Sequence, residues 1–260
     1  MKLDGKVCIV TGGAMGNGLG IVKTFLKYGA EVIILDYSDE IFGTIDKLAH
    51  PKLSGYQVDI RDKEAINEIV LDIINDFGRI DVLVNNAGVC MLEKFVDMSD
   101  EVRDNHFNIN IIGTWNLTKA VVPHMINKHY GKIVNLSSVT GPMVADSGEV
   151  AYATTKAALM GFTKSLAMEL VNEGINVNAI MPGYILTPMV EKMAAVTAPD
   201  NPQSVVDGIA SGIPMGRLGT IEELGELAAF LASEESSYIT GQGIVIDGAS
   251  TLPETKVMGV

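Results

Sequence analysis

The sequence predicts an α/β protein whose core is a doubly wound parallel sheet with helices on both faces. Two observations lead to this fold class. Short apolar runs alternate with helix-like periodicities along most of the chain, which favours repeated right-handed βαβ crossovers. These runs are apolar on both faces, as strands are when helices cover both sides of a parallel sheet.

The individual elements follow from the same patterns. Strands are expected at residues 7–10, 32–35, 55–59, 82–84, 132–136, 175–180 and 243–246. Helices are expected from a glycine-rich turn to about residue 28, then at about 38–49, around 65–73, and at 101–128, 151–172 and 221–232. The helix around 65–73 is predicted by apolar residues at i, i+3 and i+4 spacing. Gly29 and Gly78 mark the ends of the first and third helices.

The chain is expected to form one domain over residues 1–260, since it contains no linker-like or low-complexity tract and no internal repeat. Its longest stretch without a predicted strand, residues 182–220, contains five of the nine prolines. In this fold class a long excursion after a strand is a candidate lid over a ligand site. We therefore expect a substrate lid at about residues 183–219.

Composition excludes several classes of protein. With 19 Lys+Arg against 32 Asp+Glu the formal charge is −13, which argues against a nucleic-acid partner. No apolar run is long enough for a membrane span, and the N-terminus leads into a strand without a signal peptide. Cys8 and Cys90 cannot form a disulfide scaffold, and the four histidines show no spacing typical of a metal site. A cytoplasmic, metal-free protein is expected, with Cys90 packed as an inert thiol.

A glycine-rich turn lies between the first strand and the first helix. Gly12, Gly16 and Gly18 suit a tight turn, close approach of the backbone to a pyrophosphate and close packing of helix on strand. The N-terminus of the helix offers free N–H groups to the phosphates. The alternative is an ordinary strand-to-helix turn. Its position in the first βα unit favours a dinucleotide-binding, Rossmann-type turn.

Asp36 ends the second strand, 18 residues after Gly18. A carboxylate there can accept hydrogen bonds from both adenosine ribose hydroxyls and would repel a 2′-phosphate. Met15 in the turn brings no positive charge, and residues 31–44 contain no Lys or Arg. The alternative is a solvated acid at a strand end. The sequence therefore predicts NAD rather than NADP as the cofactor.

Tyr152 and Lys156 open a predicted helix at i, i+4 spacing, which puts both side chains on one face. A cation beside a phenol favours the phenolate, so the Tyr152 pKa is expected to fall below its ordinary value of about 10. That would make Tyr152 a general acid/base near neutral pH. Ser137 and Ser138 end the preceding strand, where ligands bind in open α/β sheets, and a hydroxyl there could hold a substrate oxygen.

The whole chain resembles the short-chain dehydrogenase/reductase family. The shared motifs occur in family order: the glycine turn, residues 85–88 (Asn-Asn-Ala-Gly), residues 110–113, Ser138, Tyr152 with Lys156, Pro182-Gly183 and residues 237–241. Each motif is short, but their joint occurrence is specific. Residues 85–91, 97–100, 137–141 and 250–255 further resemble one bacterial oxidoreductase branch of the family.

The resemblance implies a role for each residue at the reacting end. Tyr152 is the proton donor and acceptor, while Lys156 lowers its pKa and holds the nicotinamide ribose. Ser138 binds the substrate oxygen, and Asn110 anchors a water that extends the proton relay. The spacing of 14 between Ser138 and Tyr152 is one residue longer than is common in the family, which leaves Ser137 as the alternative to Ser138.

The resemblance also implies the rest of the cofactor site. It comprises the turn residues Gly12, Met15, Gly16, Asn17 and Gly18, then Asp36, Asp59, Ile60, Asn86, Ala87, Gly88, Tyr152, Lys156, Pro182, Gly183, Ile185 and Thr187. Asp59 and the Ile60 backbone would hold the adenine, and Ile185 and Thr187 would contact the carboxamide or phosphates. Asn17 replaces an apolar residue of the family, so its side chain needs a polar partner.

The predicted function is hydride transfer between NAD(H) and a secondary alcohol/ketone substrate. Four methionines in or beside the lid, Met181, Met189, Met193 and Met215, are either plain core or an adaptable apolar pocket, and the pocket favours an apolar substrate. Apolar residues beyond one face of helices 101–128 and 151–172 indicate contacts between subunits, and the resemblance implies a homotetramer. The alternatives are an NADP-dependent carbonyl or 3-oxoacyl reductase and a non-catalytic dinucleotide sensor, which would have no use for a proton relay.

Overall fold

The computed structural model describes residues 1–253; Glu254 and Thr255 of the 250–255 motif lie outside the described residues. Its strands form one parallel sheet in the order β3-β2-β1-β4-β5-β6-β7. The strands are β1 (Val7–Thr11), β2 (Glu31–Asp36), β3 (Leu53–Gln57), β4 (Val82–Asn85), β5 (Gly131–Leu136), β6 (Ile175–Pro182) and β7 (Gly243–Ile246). The predicted doubly wound sheet is confirmed.

Nine α-helices lie within residues 1–253. They are α1 (Gly16–Lys27), α2 (Glu40–Leu48), α3 (Lys63–Phe77), α4 (Asp100–Phe107), α5 (Thr114–Lys128), α6 (Val150–Leu170), α7 (Pro188–Thr197), α8 (Pro202–Ser211) and α9 (Ile221–Leu231). None of the helices in this part of the chain is both long and apolar enough to cross a membrane.

The sheet separates two apolar clusters, and alternate strand residues supply them. Val10 and Ile34 face the cluster under α1 and α9, whereas Ile9 and Ile33 face the cluster under α3, α5 and α6. This alternation explains why the strands are apolar on both faces.

The predicted helix over 101–128 is wrong in one respect. Residues 108–113 form a π-helical segment between α4 and α5. Within this segment the carbonyl oxygen of Asn110 accepts a hydrogen bond from Thr114 Oγ1 at 3.1 Å. Apolar periodicity cannot reveal such an insertion, since the chain stays helical on both sides of it, and such segments are frequent at functional sites.

Two other predicted boundaries change. β3 ends at Gln57, so Asp59 lies in the loop beyond the carboxyl end of the sheet rather than within the strand. The excursion over 183–219 contains two helices, α7 and α8, and each begins with a proline, the residue that suits the first helical position because its missing N–H would have no partner there. A bridge between Ile185 and Gly219 closes the base of this excursion.

Candidate active site

A cleft of about 660 Å³ opens at the carboxyl ends of the strands. β1 and β4 are neighbours there, at the point where the strand order reverses, which is where open α/β sheets bind ligands. Most of the predicted site residues line it: Gly12, Met15, Gly16, Asn17, Asp36, Asp59, Ile60, Asn86, Ala87, Gly88, Ser138, Tyr152, Lys156, Pro182, Gly183 and Thr187. Gly18, Asn110 and Ile185 lie behind its wall.

The glycine turn is shaped for close approach of a ligand to backbone. Gly12 and Gly16 have φ values of 63° and 54°, in the left-handed region that favours glycine. A Cβ on Gly12 would lie 3.0 Å from the Cα of Ala87, and one on Gly18 would overlap the carbonyl oxygen of Gly12. Gly18 therefore does not line the cleft. Its missing Cβ lets the turn pack closely against Gly12 behind the cleft wall. The N-terminus of α1 faces the cleft and suits an anion.

Asn17 corrects one expectation from the sequence. Its Oδ1 is buried, and within residues 1–253 it has no hydrogen-bond partner. A buried polar atom normally has a partner, and Asn17 lines the cleft. The turn therefore fits a ligand that carries both an anionic group for the α1 N-terminus and a hydrogen-bond donor, as a nicotinamide dinucleotide does.

The carboxylate of Asp36 is held in one orientation by backbone amides. Oδ2 accepts a hydrogen bond from Ala14 N and Oδ1 accepts one from Ser38 N, both at 3.0 Å. Each oxygen keeps a lone pair for a ligand hydroxyl.

Arg61 is a cleft residue that the sequence analysis missed. Its guanidinium lies 2.6 Å from Asp59 Oδ2, and the Arg61 hydrogen bonds hold the pKa of that carboxyl below its usual value. Residues 31–44 contain no Lys or Arg, but Arg61 reaches this wall from beyond β3. Because it pairs with Asp59, its charge is balanced locally.

The segment from Asn86 to Gly88 is fastened to the first strand. Thr11 Oγ1 accepts hydrogen bonds from the backbone N–H groups of Asn86 and Ala87, each at 2.9 Å. The Asn86 side chain donates to the carbonyl oxygens of Thr11 and Gly12 at 2.9 and 3.0 Å. This segment and the glycine turn therefore form one fixed wall.

Ile185 is not placed as the resemblance implied. Its side chain is 5% exposed and packs in the core under α1 and α9, below the wall that Thr187 lines. The apolar side chain is better buried against other apolar groups than facing a polar cleft. Thr187 is the N-cap residue of α7, and its Oγ1 accepts a hydrogen bond from Val190 N at 3.4 Å.

Tyr152 and Lys156 lie on one face of α6 and line the cleft, as predicted. Lys156 Nζ donates to the carbonyl oxygen of Leu136 at 2.7 Å and lies 5.6 Å from the centre of the Tyr152 ring. Ser137 Oγ donates to the carbonyl oxygen of Lys156 at 2.8 Å, so this hydroxyl is engaged with helix backbone. The Ser138 hydroxyl interacts with that of Tyr152, and the geometry therefore favours Ser138 over Ser137.

The predicted lowering of the Tyr152 pKa is wrong. Burial raises the Tyr152 pKa to about 12, against the lowering effect of the Ser138 hydroxyl, and the Cys90 thiol and Glu149 raise it further. Burial also lowers the pKa of Lys156 to about 8. Removal from water disfavours the charged form of both groups, and the Lys156 ammonium is directed at a backbone carbonyl. Burial likewise raises the Cys90 pKa to about 11, so this thiol stays protonated near neutral pH.

Asn110 lies beneath the cleft rather than in it, with 1% of its surface exposed. Its Oδ1 accepts from Val89 N at 2.8 Å, and its Nδ2 donates to Val89 O at 3.1 Å and to Thr155 Oγ1 at 3.0 Å. The side chain thus ties the loop after β4 to α6 and holds Gly88 beside Lys156. Its backbone carbonyl lies in the π-helical segment and accepts a hydrogen bond from Thr114 Oγ1.

Metal chemistry receives no support from residues 1–253, where no three His, Cys, Asp or Glu side chains come together as a possible metal site. The buried His106 is engaged instead, with Nε2 accepting from Met91 N at 3.0 Å.

Comparisons with known proteins show which family the chain belongs to. A family model described as enoyl-(acyl carrier protein) reductase matches residues 12–251. The oxidoreductase UcpA of Escherichia coli K12 is 53% identical over the full chain and 99% of its own length. The 3-oxoacyl-[acyl-carrier-protein] reductase FabG of Thermotoga maritima is 43% identical over 95% of this chain and 98% of its own.

Solved structures agree as well. The L-sorbose reductase of Gluconobacter frateurii, complexed with NADPH and L-sorbose, has a TM-score of 0.92 at 31% identity and covers 97% of this chain and 99% of its own. The ligand-free aldohexose dehydrogenase of Thermoplasma acidophilum has a TM-score of 0.90 at 31% identity, over 99% and 98%. The bacterial branch that the sequence motifs indicated is the UcpA type, and the resemblance is confirmed. The chain belongs to the short-chain dehydrogenase/reductase family, and it is an NAD(P)-dependent oxidoreductase.

Proposed function

We propose that this protein transfers a hydride between NAD(H) and a neutral secondary alcohol/ketone pair, with Tyr152 as the general acid/base. The observation that carries the proposal is the grouping of Tyr152, Lys156 and Ser138 at one end of a cleft whose other end is a glycine turn. A nucleotide-binding turn alone would suit a sensor. A half-buried phenol with a buried ammonium and a buried hydroxyl beside it suits proton transfer to a substrate oxygen.

Each part of NAD has a matching group in the cleft. The α1 N-terminus, with the backbone of residues 15–18, would hold the pyrophosphate, and Asp36 the adenosine ribose hydroxyls. Asp59 and Ile60 would lie at the adenine, and Lys156 at the nicotinamide ribose. The remaining contacts would come from Asn86, Ala87, Gly88, Pro182, Gly183, Thr187 and the backbone of Ile185. Two features support NAD over NADP. The Asp36 carboxylate would repel a 2′-phosphate, and the positive charge of Arg61 is already balanced by Asp59.

In the reduction direction Tyr152 donates a proton to the substrate oxygen while Ser138 hydrogen-bonds the same oxygen. The raised Tyr152 pKa of about 12 keeps the phenol protonated, so it is ready to act as an acid at neutral pH. When bound, NADH supplies the hydride and NAD⁺ accepts it in the reverse direction. Oxidation needs the phenolate, which a charged Lys156 favours. The Asn110 carbonyl would hold the water that passes protons onward.

The substrate end supports a partly apolar alcohol or ketone. Met91 and Met189 line the cleft and are both exposed. The other methionines considered lie elsewhere: Met181 is core, and Met193 and Met215 are exposed outside the cleft. Residues 183–219 would close as a lid over the bound substrate, within a single domain spanning the chain.

A homotetramer is supported by a second groove, of about 640 Å³, between α5 and α6. Trp115 and Phe162 line it with ring centres 5.3 Å apart, and Trp115 is 53% exposed. Exposed apolar patches of this kind mark interaction sites. Light scattering should find a tetramer at micromolar concentration, and a stable monomer would refute this part of the proposal.

One competing function has its own observation. Similarity to FabG and to an NADPH-bound sorbose reductase favours an NADP-dependent carbonyl or 3-oxoacyl reductase. The test is the absorbance of the reduced cofactor with a panel of ketones and alcohols, run with NADH and NADPH. We expect a higher kcat/KM with NADH on small neutral ketones, whereas a tenfold preference for NADPH would establish the competing function.

A further inference from the structure

His106 is a fully buried histidine in α4 whose two ring nitrogens both have partners. Nδ1 lies 2.8 Å from the carbonyl oxygen of Val102, and Nε2 lies 3.0 Å from the backbone nitrogen of Met91. A carbonyl oxygen can only accept a hydrogen bond, and a backbone N–H can only donate one. These partners therefore assign the neutral tautomer, with the proton on Nδ1 and the lone pair on Nε2.

Met91 belongs to a short wall segment, residues 89–91, which follows β4 and lines the cleft along its whole length. Within residues 1–253, no N–H or carbonyl group of the wall segment pairs with another backbone group. Side chains hold it instead. The Asn110 amide exchanges two hydrogen bonds with the backbone of Val89, and His106 accepts one from Met91.

The two holding side chains act on different residues of the wall segment. His106 and Asn110 are four residues apart in the chain, and both are buried. Because the Asn110 contacts end at Val89, they would remain if the acceptor on His106 were lost. The loss of Nε2 would therefore release Met91, the residue of the wall segment that carries an exposed apolar side chain.

We propose that His106 is a positioning residue that fixes Met91 in the cleft wall and so shapes the apolar part of the substrate site. His106 touches neither substrate nor cofactor, and it acts through the Met91 backbone. Its effect should fall on substrates with an extended apolar part, which would pack against Met91. This inference rests on the proposed function, because it concerns the same reacting site.

Two amide variants separate the two hydrogen bonds of His106. In Gln the amide group is as many bonds from Cβ as Nε2 is in histidine, so His106→Gln keeps an acceptor for Met91. In Asn the amide group stands at the position of Nδ1, so His106→Asn can still donate to Val102 but cannot reach Met91. His129→Asn, the same substitution at an exposed histidine, is the matched control.

The first measurement is hydrogen–deuterium exchange of the Met91 amide, followed by NMR in the full-length protein. In the wild type this amide should exchange more slowly than that of Cys90, whose N–H pairs with no other backbone group. His106→Asn should speed the Met91 exchange at least about fivefold, the effect of losing one hydrogen bond. His106→Gln should restore most of the protection, and His129→Asn should match wild type.

The second measurement compares the reduction of 2-heptanone and acetone by NADH. His106→Asn should raise KM for 2-heptanone at least about fivefold while kcat and the affinity for NADH change less than about twofold. The KM for acetone should stay close to wild type, because acetone lacks the apolar chain that would reach Met91. His106→Gln should bring the KM for 2-heptanone back toward the wild-type value.

The possible failures can be told apart. A Met91 amide that exchanges as fast as that of Cys90 in the wild type, or equally in all variants, overturns the positioning role, and the wild-type comparison holds even if His106→Asn does not fold. Exchange that changes as expected, with an unaltered ratio of the two KM values, overturns the effect on substrate choice. A wild-type enzyme that reduces neither ketone with NADH or NADPH contradicts the proposed function and, with it, the effect on substrate choice, while the exchange result for Met91 stands.

Discussion

The two ends of the cleft are formed by different chemical groups. At the adenosine end, glycines and backbone amides shape the wall, and Asp36 is partly exposed with its carboxylate oriented by two N–H groups. At the reacting end, Tyr152 is half-buried and Lys156 is buried, and burial moves their pKa values in opposite directions, to about 12 and about 8. The adenosine end is suited to the shape and charge of a ligand, whereas the reacting end contains two groups whose proton affinity is altered by burial.

Because of this difference, substitutions at the two ends should affect different steps of the reaction. Changes at the adenosine end should alter cofactor affinity and choice but leave the chemical step intact. Removal of the Tyr152 hydroxyl at the reacting end should alter the chemical step or its pH dependence while the cofactor still binds.

The largest effect is expected from Tyr152→Phe, which removes only the hydroxyl. We expect kcat to fall by about 10²–10⁴, the range for a lost general acid/base, with NADH affinity and thermal stability close to wild type. Steady-state rates and NADH fluorescence titrations measure the two quantities. Tyr238→Phe is the control, because Tyr238 is fully exposed. Retention of more than about a tenth of wild-type kcat would remove Tyr152 from the mechanism.

The next prediction concerns protein stability and Lys156. Its folded pKa of about 8 lies below the ordinary 10.5, so the folded state binds this proton less tightly than the unfolded state does. Stability should therefore rise as pH increases from about 8 to about 10.5, by about 3 kcal/mol for this shift. Lys156→Met should lack that rise.

Chemical denaturation of wild type and Lys156→Met at pH 7 and pH 10.5 measures this change. The difference in unfolding free energy should move in favour of wild type at the higher pH. Lys164→Met, at an exposed position of the same helix, should follow wild type. A difference that does not change with pH would mean that Lys156 is not desolvated.

Asp36→Ala tests the adenosine end. Loss of a carboxylate that would accept ribose hydroxyls should weaken NADH binding by about 1–3 kcal/mol, or roughly 5- to 150-fold. NADPH binding should weaken less, because the substitution also removes the repulsion between the Asp36 carboxylate and the 2′-phosphate. Titrations with both cofactors measure the ratio, with Asp39→Ala, an exposed neighbour, as control. If Asp36→Ala keeps the wild-type preference, Asp36 does not select the cofactor.

The smallest effect is expected from Gly18→Ala at the base of the turn. The added Cβ would overlap the Gly12 carbonyl oxygen, and relief of such overpacking costs about 1–3 kcal/mol. NADH affinity should fall about tenfold or more, while kcat at saturating cofactor changes little. Gly43→Ala, where a Cβ would meet open space, should bind NADH normally. A larger effect on kcat than on affinity would contradict the separation of the two ends.

The sequence predicted those features that depend on residues close together in the chain. The apolar runs and the motifs at residues 12–18 and 152–156 predicted the sheet and most of the cleft wall. It failed where the outcome depends on three-dimensional burial. The pairing of Tyr152 with Lys156 predicted a lowered phenol pKa, but the depth of both groups reverses the sign.

The other misses have the same origin. Ile185 follows a cofactor motif, yet the fold turns its side chain into the core. Arg61 lines the same cleft as Asp36 because β3 pairs with β2, and the π-helical segment at 108–113 interrupts a helix without interrupting its apolar pattern. None of these follows from local spacing.

The separation of the two ends is tested most directly with Asp36→Ala, Tyr152→Phe and the double variant. NADH affinity would be measured by titration and hydride transfer by single-turnover absorbance. We predict that Asp36→Ala changes affinity alone, that Tyr152→Phe changes the transfer rate alone, and that the double variant shows both effects, additive within about 0.5 kcal/mol as for distant sites. A coupling well above that value, or a Tyr152→Phe enzyme that no longer binds NADH, would contradict the account.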